Sequence, residues 1–382
     1  MHQVYLDNAA TTPIHDKVLD VMMQTLKNNF GNPSSTHSYG RSSKSIIESC
    51  RKRIAGHFNA SASEIIFTSG GTEADNLILT SAVKDCGVSN IISTKIEHHA
   101  VLHTLEKLEK DYKVNITYLP LDDFGSVRTQ DLEIALKNTA GKTLVSLMHV
   151  NNEIGNLLDL HAIAILCKEY NALLHSDTVQ SIGHFNIDVK ETPIDFMVAS
   201  AHKFHGPKGV GFAFLRKGSR LKPFIHGGEQ ERGMRAGTES IHNIVGLAEA
   251  LDIAYEMLQE DKAYILDLKS YFISGLKKRF PNIQFNGCSG DLTKSTYTLV
   301  NVRLPISPDK ASLLQFQLDL KGIACSRGSA CQSGSAQGSH VLEELLEGEE
   351  LAKPSIRFSF SRYNTKEEID YTLQVLSEFL KN

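Results

Sequence analysis

A chain of 382 residues has room for two domains or one large one, and its 41% hydrophobic and 22% charged residues exclude a disordered or fibrous polypeptide. The formal charge of −4, from 44 acids and 40 bases spread along the chain, leaves no basic footprint for nucleic acid or an anionic membrane, so a small-molecule substrate is the default. Six cysteines without a Cys-x-x-Cys pair, no stretch near the ~20 apolar residues of a membrane span, and a start (Met1 to Asp7) lacking a basic segment before an apolar run together predict a reduced, cytoplasmic, non-membrane protein.

From about Ser63 to Leu215 short apolar runs alternate with helical patterns. The runs Glu64–Phe67, Asn90–Ile92, Leu144–Met148, Ala172–Leu174, Phe196–Val198 and Val210–Leu215 have strand length. Between two of them Leu160, Ile163, Ala164 and Cys167 recur at i, i+3, i+4 and i+7, the mark of a helix covering one sheet face. Alternating strands and helices predict an α/β fold with a mostly parallel sheet. A long helical stretch from Ile241 to Leu258 leads into a second in which Ile265, Leu268, Tyr271, Phe272 and Leu276 share a face. The remainder, Phe280 to Asn382, reads as a smaller α+β unit with strands near Tyr297–Val302 and Ser355–Phe360 and a closing helix from Lys366. Its Gly/Ser-rich stretch Ser326–Ser339 is the one long irregular segment, and loops of that length are more often functional than structural.

Polar groups gather where the strand-length runs end. Phe67 to Asn76 carries a strand through Gly70 and Gly71 into a helix opened by Thr72, in outline an anion site, because glycines admit the backbone to a phosphate and a helix start attracts negative charge. Alone, it reads equally as a capped strand-to-helix turn. Lys203 follows the apolar run that ends at Val198, where poor solvation favours a neutral, nucleophilic amine able to form a Schiff base. Asp177 and Gln180 follow Ala172–Leu174, Asn152 follows Leu144–Met148, and Glu97-His98-His99 follows the run holding Ile91. In an open α/β sheet the carboxyl ends of the strands form the ligand crevice, and an Asp there can pair with a protonated ring nitrogen.

Asp7–Thr12, Ser69–Asn76, His149–Gly155, Ser200–Lys203 and Gly233–Thr238 closely resemble, in order and spacing, motifs of the class V aminotransferase-like cysteine desulfurases, and the resemblance extends over nearly the whole chain. It implies a fold-type I, pyridoxal-phosphate-dependent homodimer that converts L-cysteine to L-alanine and an enzyme-bound persulfide. A large cofactor-binding domain, residues 13–257, and a small domain made of 1–12 and 258–382 are expected. Carried over by the resemblance, Lys203 holds the cofactor as a Schiff base and moves the α-proton. Asp177 holds the pyridinium N–H and Gln180 the ring hydroxyl. Gly71, Thr72, Ser200, Ala201 and His202 belong to the cofactor-binding set, chiefly around the phosphate, with Thr238 reaching it from the partner subunit. His98 stacks on the ring and assists proton transfer. Asn152 borders cofactor and substrate, and Arg357 grips the substrate carboxylate with its planar fork.

Gly328–Ser335, with Cys331 at its centre, resembles the long loop of the group that passes sulfur to iron–sulfur scaffolds, which makes Cys331 the sulfur acceptor and a candidate transient iron–sulfur ligand. A thiolate is what attacks the substrate sulfur. The acceptor is then an iron–sulfur scaffold or a tRNA-thiolation protein, with no direct nucleic-acid contact and no resident metal. Ser335–His340 lacks the Glu-Pro of many relatives, and the chain stops at Asn382 without the extension some of them use for docking. Cys325 reads as a strand residue rather than a second reactive thiol. Two rival readings share the motifs: a related β-lyase or selenocysteine lyase that does not need Cys331, and a non-catalytic assembly partner that keeps only the fold.

Overall fold

The structure is a computed structural model that describes residues 3–307, 310–327 and 338–381. Its strands in chain order are β1 (Val4–Tyr5), β2 (Ile65–Thr68), β3 (Asn90–Ser93), β4 (Asn115–Tyr118), β5 (Thr143–Ser146), β6 (Leu173–Asp177), β7 (Phe196–Ser200), β8 (Gly211–Leu215), β9 (Gln284–Phe285), β10 (Leu299–Arg303), β11 (Ile323–Ala324) and β12 (Ser355–Ser359). Seven of them form one sheet in the order β2-β8-β7-β6-β5-β3-β4. The pairings from β7 through β4 are parallel, whereas β8 runs antiparallel to both β7 and β2. Parallel neighbours need a crossover, which runs through a helix after β3, β4 and β5 and through a helix-free link, 178–195, from β6 to β7. The short link from Ala201 to Val210 suffices for the antiparallel return from β7 to β8, and that link carries Lys203.

Why these runs make a doubly covered sheet follows from the alternation of their side chains. Phe67, Ile92, Val145, Leu174 and Met197 point into one apolar cluster, closed by Ile244, Leu247 and Leu251 of the helix Ile241–Glu256. Their neighbours Ile66, Ile91, Leu144, Phe196 and Val198 point the other way, against Ala74 and Ile78 of the helix Gly71–Cys86 and Val101 and Leu105 of the helix His99–Tyr112. Strands buried on both faces read as continuous apolar runs, which is why six of the seven are visible in the sequence. The seventh, β4, is an edge strand with the largely exposed sequence Asn115-Ile116-Thr117-Tyr118.

A separate cluster joins Val4 and Leu6 to Leu268, Phe272 and Leu276 of the helix Leu258–Arg279, to Val300 and Val302 of β10, and to Ile356 and Phe358 of β12. The long helical stretches abut at Met257, the residue before the second helix begins. The antiparallel sheet β12-β10-β9 and the parallel pair β1-β11 build this region. The expected strands near 297–302 and 355–360 and the closing helix, Lys366–Lys381, are present. Among the described residues no helix is long and apolar enough to cross a membrane.

Candidate active site

At the carboxyl ends of the sheet strands lies a cavity of about 280 Å³ lined by Gly71, Thr72, His98, Asn152, Asp177, Gln180, Ser200, His202, Lys203 and Arg357, with Ala9, Ala10, Asp75, Met148 and Val179 completing its wall. Residues from seven separate stretches of sequence therefore meet in one place.

The cup for an anion is formed by β2 turning into the helix Gly71–Cys86. Gly70 adopts φ 155°, a region open essentially to glycine, and a Cβ on Gly71 would sit 2.6 Å from Val179 Cγ2. A side chain on Gly71 would thus close the space between the helix start and β6. Ser200 ends β7 almost fully buried, and His202 follows in the 3₁₀ turn Ala201–Lys203. His202 Nδ1 lies 3.2 Å from Thr11 Oγ1, and burial, helped by Lys203 and Lys208, pushes its imidazole down to about 4. A neutral ring with Nδ1 beside a hydroxyl can still donate an N–H to a phosphate. Ala201 differs from its neighbours: its side chain belongs to the apolar core, its N–H donates to Val210 O at 3.1 Å, and it does not line the cavity. Its part is to hold the turn. Thr238 is exposed and outside the cavity of its own chain.

Lys203 is half-buried, and its Nζ donates to Ala9 O at 2.7 Å and Ala10 O at 2.9 Å. Gln180 Nε2 donates to the same Ala9 carbonyl at 2.9 Å. The N-terminal segment is thus a wall of the site, held there by Thr12, whose N–H donates to His202 O. Asp177 ends β6 with Oδ1 accepting the Val179 N–H at 2.9 Å. An anion at that depth suits a protonated ring nitrogen. His98 caps the helix His99–Tyr112 through Nδ1, which accepts the Ala100 N–H at 3.1 Å. With Nδ1 as acceptor, the neutral ring carries its N–H on Nε2.

Arg357, on β12, is 1% exposed. One terminal nitrogen donates to Asn152 O at 2.7 Å and the other to Asp7 Oδ1 at 2.9 Å, while its Nε is buried without a hydrogen-bond partner among the described residues. A guanidinium fixed at two corners with a third donor to spare, on the wall of a cavity, is prepared for an anionic ligand. The same strand pairs with Ser326, whose N–H and C=O both bond Arg357 and whose hydroxyl donates to Asp7 Oδ1. Beyond the undescribed stretch, Ser339 donates to Glu153, His340 Nε2 is 2.9 Å from Glu97 O, and Val341 and Leu342 pack on Ile96 and Ile154. Both flanks of 328–337 are therefore fastened to residues bordering the cavity. Cys331 itself lies outside the described residues. Cys325 follows β11 directly, and burial together with nearby Asp7 pushes its thiol up to about 12, which makes it inert.

Asp75 and the backbone carbonyls of Ala9 and Ala10 are wall groups to which the sequence reading assigned no role. Asp75 carried a signal: it is an acid three residues past Thr72, next to Leu77 and Ile78 on what becomes a buried helix face. The carbonyls carried none, since any residue supplies one.

With the site in view, comparison with known proteins is decisive. Residues 4–372 match the aminotransferase class-V family. The chain is 41% identical over 381 residues to a protein named cysteine desulfurase IscS from Dictyoglomus turgidum, covering 99% of this chain and 95% of that protein. The chain belongs to the aminotransferase class-V family, among its cysteine desulfurases. A cysteine desulfurase IscS of Clostridium botulinum (strain Hall) is 42% identical over 385 residues, with 99% of this chain and 94% of that protein covered. A solved NifS-like protein superposes with a TM-score of 0.90 at 36% identity, each chain fully covered. This family uses pyridoxal phosphate, and the donor set just described fits that group: a glycine cup for the phosphate, a lysine for the carbonyl carbon and a buried carboxylate for the ring nitrogen.

Proposed function

We propose that this enzyme removes sulfur from L-cysteine, releases L-alanine, and holds the sulfur as a persulfide on Cys331 for an acceptor such as an iron–sulfur scaffold or a tRNA-thiolation protein. The observation that carries this reading is the convergence of Lys203, Asp177, His98 and Arg357 on one cavity whose rim is tied to both flanks of the segment holding Cys331.

Pyridoxal phosphate, when bound, supplies the electron sink for the substrate carbanion. Gly71, Thr72, Ser200 and His202 take its phosphate, joined by Thr238 of the partner subunit in a homodimer. Asp177 keeps its ring nitrogen protonated and Gln180 meets its ring hydroxyl. Arg357 and Asn152 orient the substrate carboxylate. Lys203 removes the α-proton, with His98 Nε2 at hand as proton carrier. Thiolate Cys331 then attacks the substrate's sulfur: an S–S bond forms, the C–S bond breaks, Cβ takes a proton, and Cα regains the one Lys203 removed, so that the product leaves as alanine. A persulfide so formed could pass to an acceptor or serve briefly as an iron–sulfur ligand. We divide the chain into a large domain, 13–257, and a small one, 1–12 with 258–382, and place the reaction in the cytoplasm, where thiols stay reduced.

Borohydride treatment of the cofactor-loaded enzyme, followed by peptide mass analysis, tests the cofactor assignment. The account expects the phosphopyridoxyl mass on the peptide carrying Lys203. Label on another lysine, or on none, would contradict it.

A further inference from the structure

Asp75 has no task in the scheme above, yet it lines the cavity. It projects from the helix Gly71–Cys86 and is 1% exposed. Its Oδ1 lies 3.2 Å from His175 Nε2, but neither atom makes an aligned hydrogen bond among the described residues. His175 is fully buried and sits two residues before Asp177 on β6, so the two share the sheet face that this helix covers. The other ring nitrogen of His175 is 2.9 Å from Ser146 Oγ on β5, the adjacent strand.

The ionisable groups that act on Asp75 are Asp177, at the end of β6, and Glu97, in the link before the helix His99–Tyr112; both are acids, and both are almost fully buried. Three carboxylates buried this deeply cannot all ionise when the cations of the same cavity, Lys203 and Arg357, are engaged with Ala9, Ala10, Asn152 and Asp7. Asp177, which accepts the Val179 N–H, is the one whose carboxylate bears on both of the others. Burial pushes Glu97 up to about 8, against the opposing bonds from the Thr94 hydroxyl and the Met148 N–H. Burial first, then Asp177 and Glu97, holds Asp75 well above the usual carboxylate range. His175 cannot relieve the crowding by becoming a cation, because burial drives its imidazole down to about 3.

We propose that Asp75 is a positioning residue for the cofactor ring: an uncharged acid, set against the neutral His175, that leaves Asp177 the single anion lining the cavity. Its consequence for the ring rests on the reading of Asp177 given above; the protonation of Asp75 does not. A second anion beside Asp177 would split the attraction for the ring proton between two sites. A neutral Asp75 removes that competition while keeping a polar, hydrogen-bonding wall.

The test begins with the protein free of cofactor. Infrared spectra of wild type and Asp75→Asn near neutral pH, in water and in deuterium oxide, should differ by a protonated-carboxyl band that wild type has and the variant lacks. Loss of carboxylate bands instead would overturn the proposal. Should the variant fail to fold, wild type labelled with carbon-13 at the aspartate carboxyls answers the same question: one aspartate should remain protonated at neutral pH, and the proposal falls if all are ionised. With cofactor bound, Asp75→Asn should keep the wild-type pH titration of cofactor absorbance, whereas Asp177→Asn should displace it. Displacement in Asp75→Asn as large as in Asp177→Asn would mean that Asp75 carries charge, and would overturn the proposal. If Asp177→Asn leaves the titration unmoved while the Asp75 band persists, the ring reading of Asp177 fails and the protonation of Asp75 stands.

Discussion

Replacing Arg357 by lysine keeps a positive charge on β12 but removes the fork. In the native site one terminal nitrogen holds Asn152 O at 2.7 Å, the other holds Asp7 Oδ1 at 2.9 Å, and Nε is left over. A single ammonium can hold the Asp7 and Asn152 oxygens or reach into the cavity, but not both. The substrate carboxylate then loses at least one hydrogen bond to a charged group, roughly 1.5–3 kcal/mol, which is about a 10- to 150-fold weaker grip. Because the carboxylate is held alike before and during the reaction, the loss belongs in KM, with kcat at saturating cysteine little changed. Alanine formation measured over a wide range of cysteine concentration, on a variant whose thermal midpoint shows it folded, reads both constants. A folded Arg357→Lys enzyme with a wild-type KM would refute the assignment of Arg357 to the substrate carboxylate.

The glycine cup gives a second expectation. Gly71→Ala places a methyl 2.6 Å from Val179 Cγ2 and should cost about 1–3 kcal/mol by overpacking, with weaker cofactor retention, while Gly71→Ala/Val179→Ala should recover most of both in cofactor titration and thermal melts. Arg51 is buried with a bidentate hold on Glu231 and a bond to Ile65 O, so Arg51→Met should lower the unfolding free energy in urea by roughly 3–5 kcal/mol; a change near zero would show the pair to be dispensable. Acid should unfold the protein through its buried imidazoles. Burial depresses His149 and His202 to about 4 and His175 to about 3, so the unfolded chain binds more protons than the native one as pH falls below ~6.5. The stability these rings allow is complete above that pH and is lost as pH falls toward 4 and below. Urea midpoints should drop across that window with proton uptake on unfolding, and a flat profile would contradict the burial argument.

How much of this was written in the sequence depends on the distance over which each feature is decided. The six strands other than β4 are local: Ile65-Ile66-Phe67 or Phe196-Met197-Val198 is apolar on both faces because both faces are covered, and the run announces itself. Strand β4 escapes because an edge strand with three exposed residues out of four needs no apolar run. The site was legible where chemistry sits beside a strand end, as with Asp177, Ser200 and Lys203. Ala201, in the middle of that same motif, shows the limit, since alternation along the chain turns its side chain into the core. Long-range pairings were not legible at all. Asp7 with Arg357 and Asp75 with His175 join residues separated by 350 and 100 positions, and nothing near either member marks its partner.

On the function proposed above, Cys331 receives the sulfur that the Lys203 site prepares. Alanine and sulfide release by purified wild type and Cys331→Ala, with L-cysteine and an external thiol, tests it most directly. The account predicts that the variant still binds pyridoxal phosphate but makes no multiple-turnover alanine or sulfide. Wild-type turnover without Cys331 would contradict it.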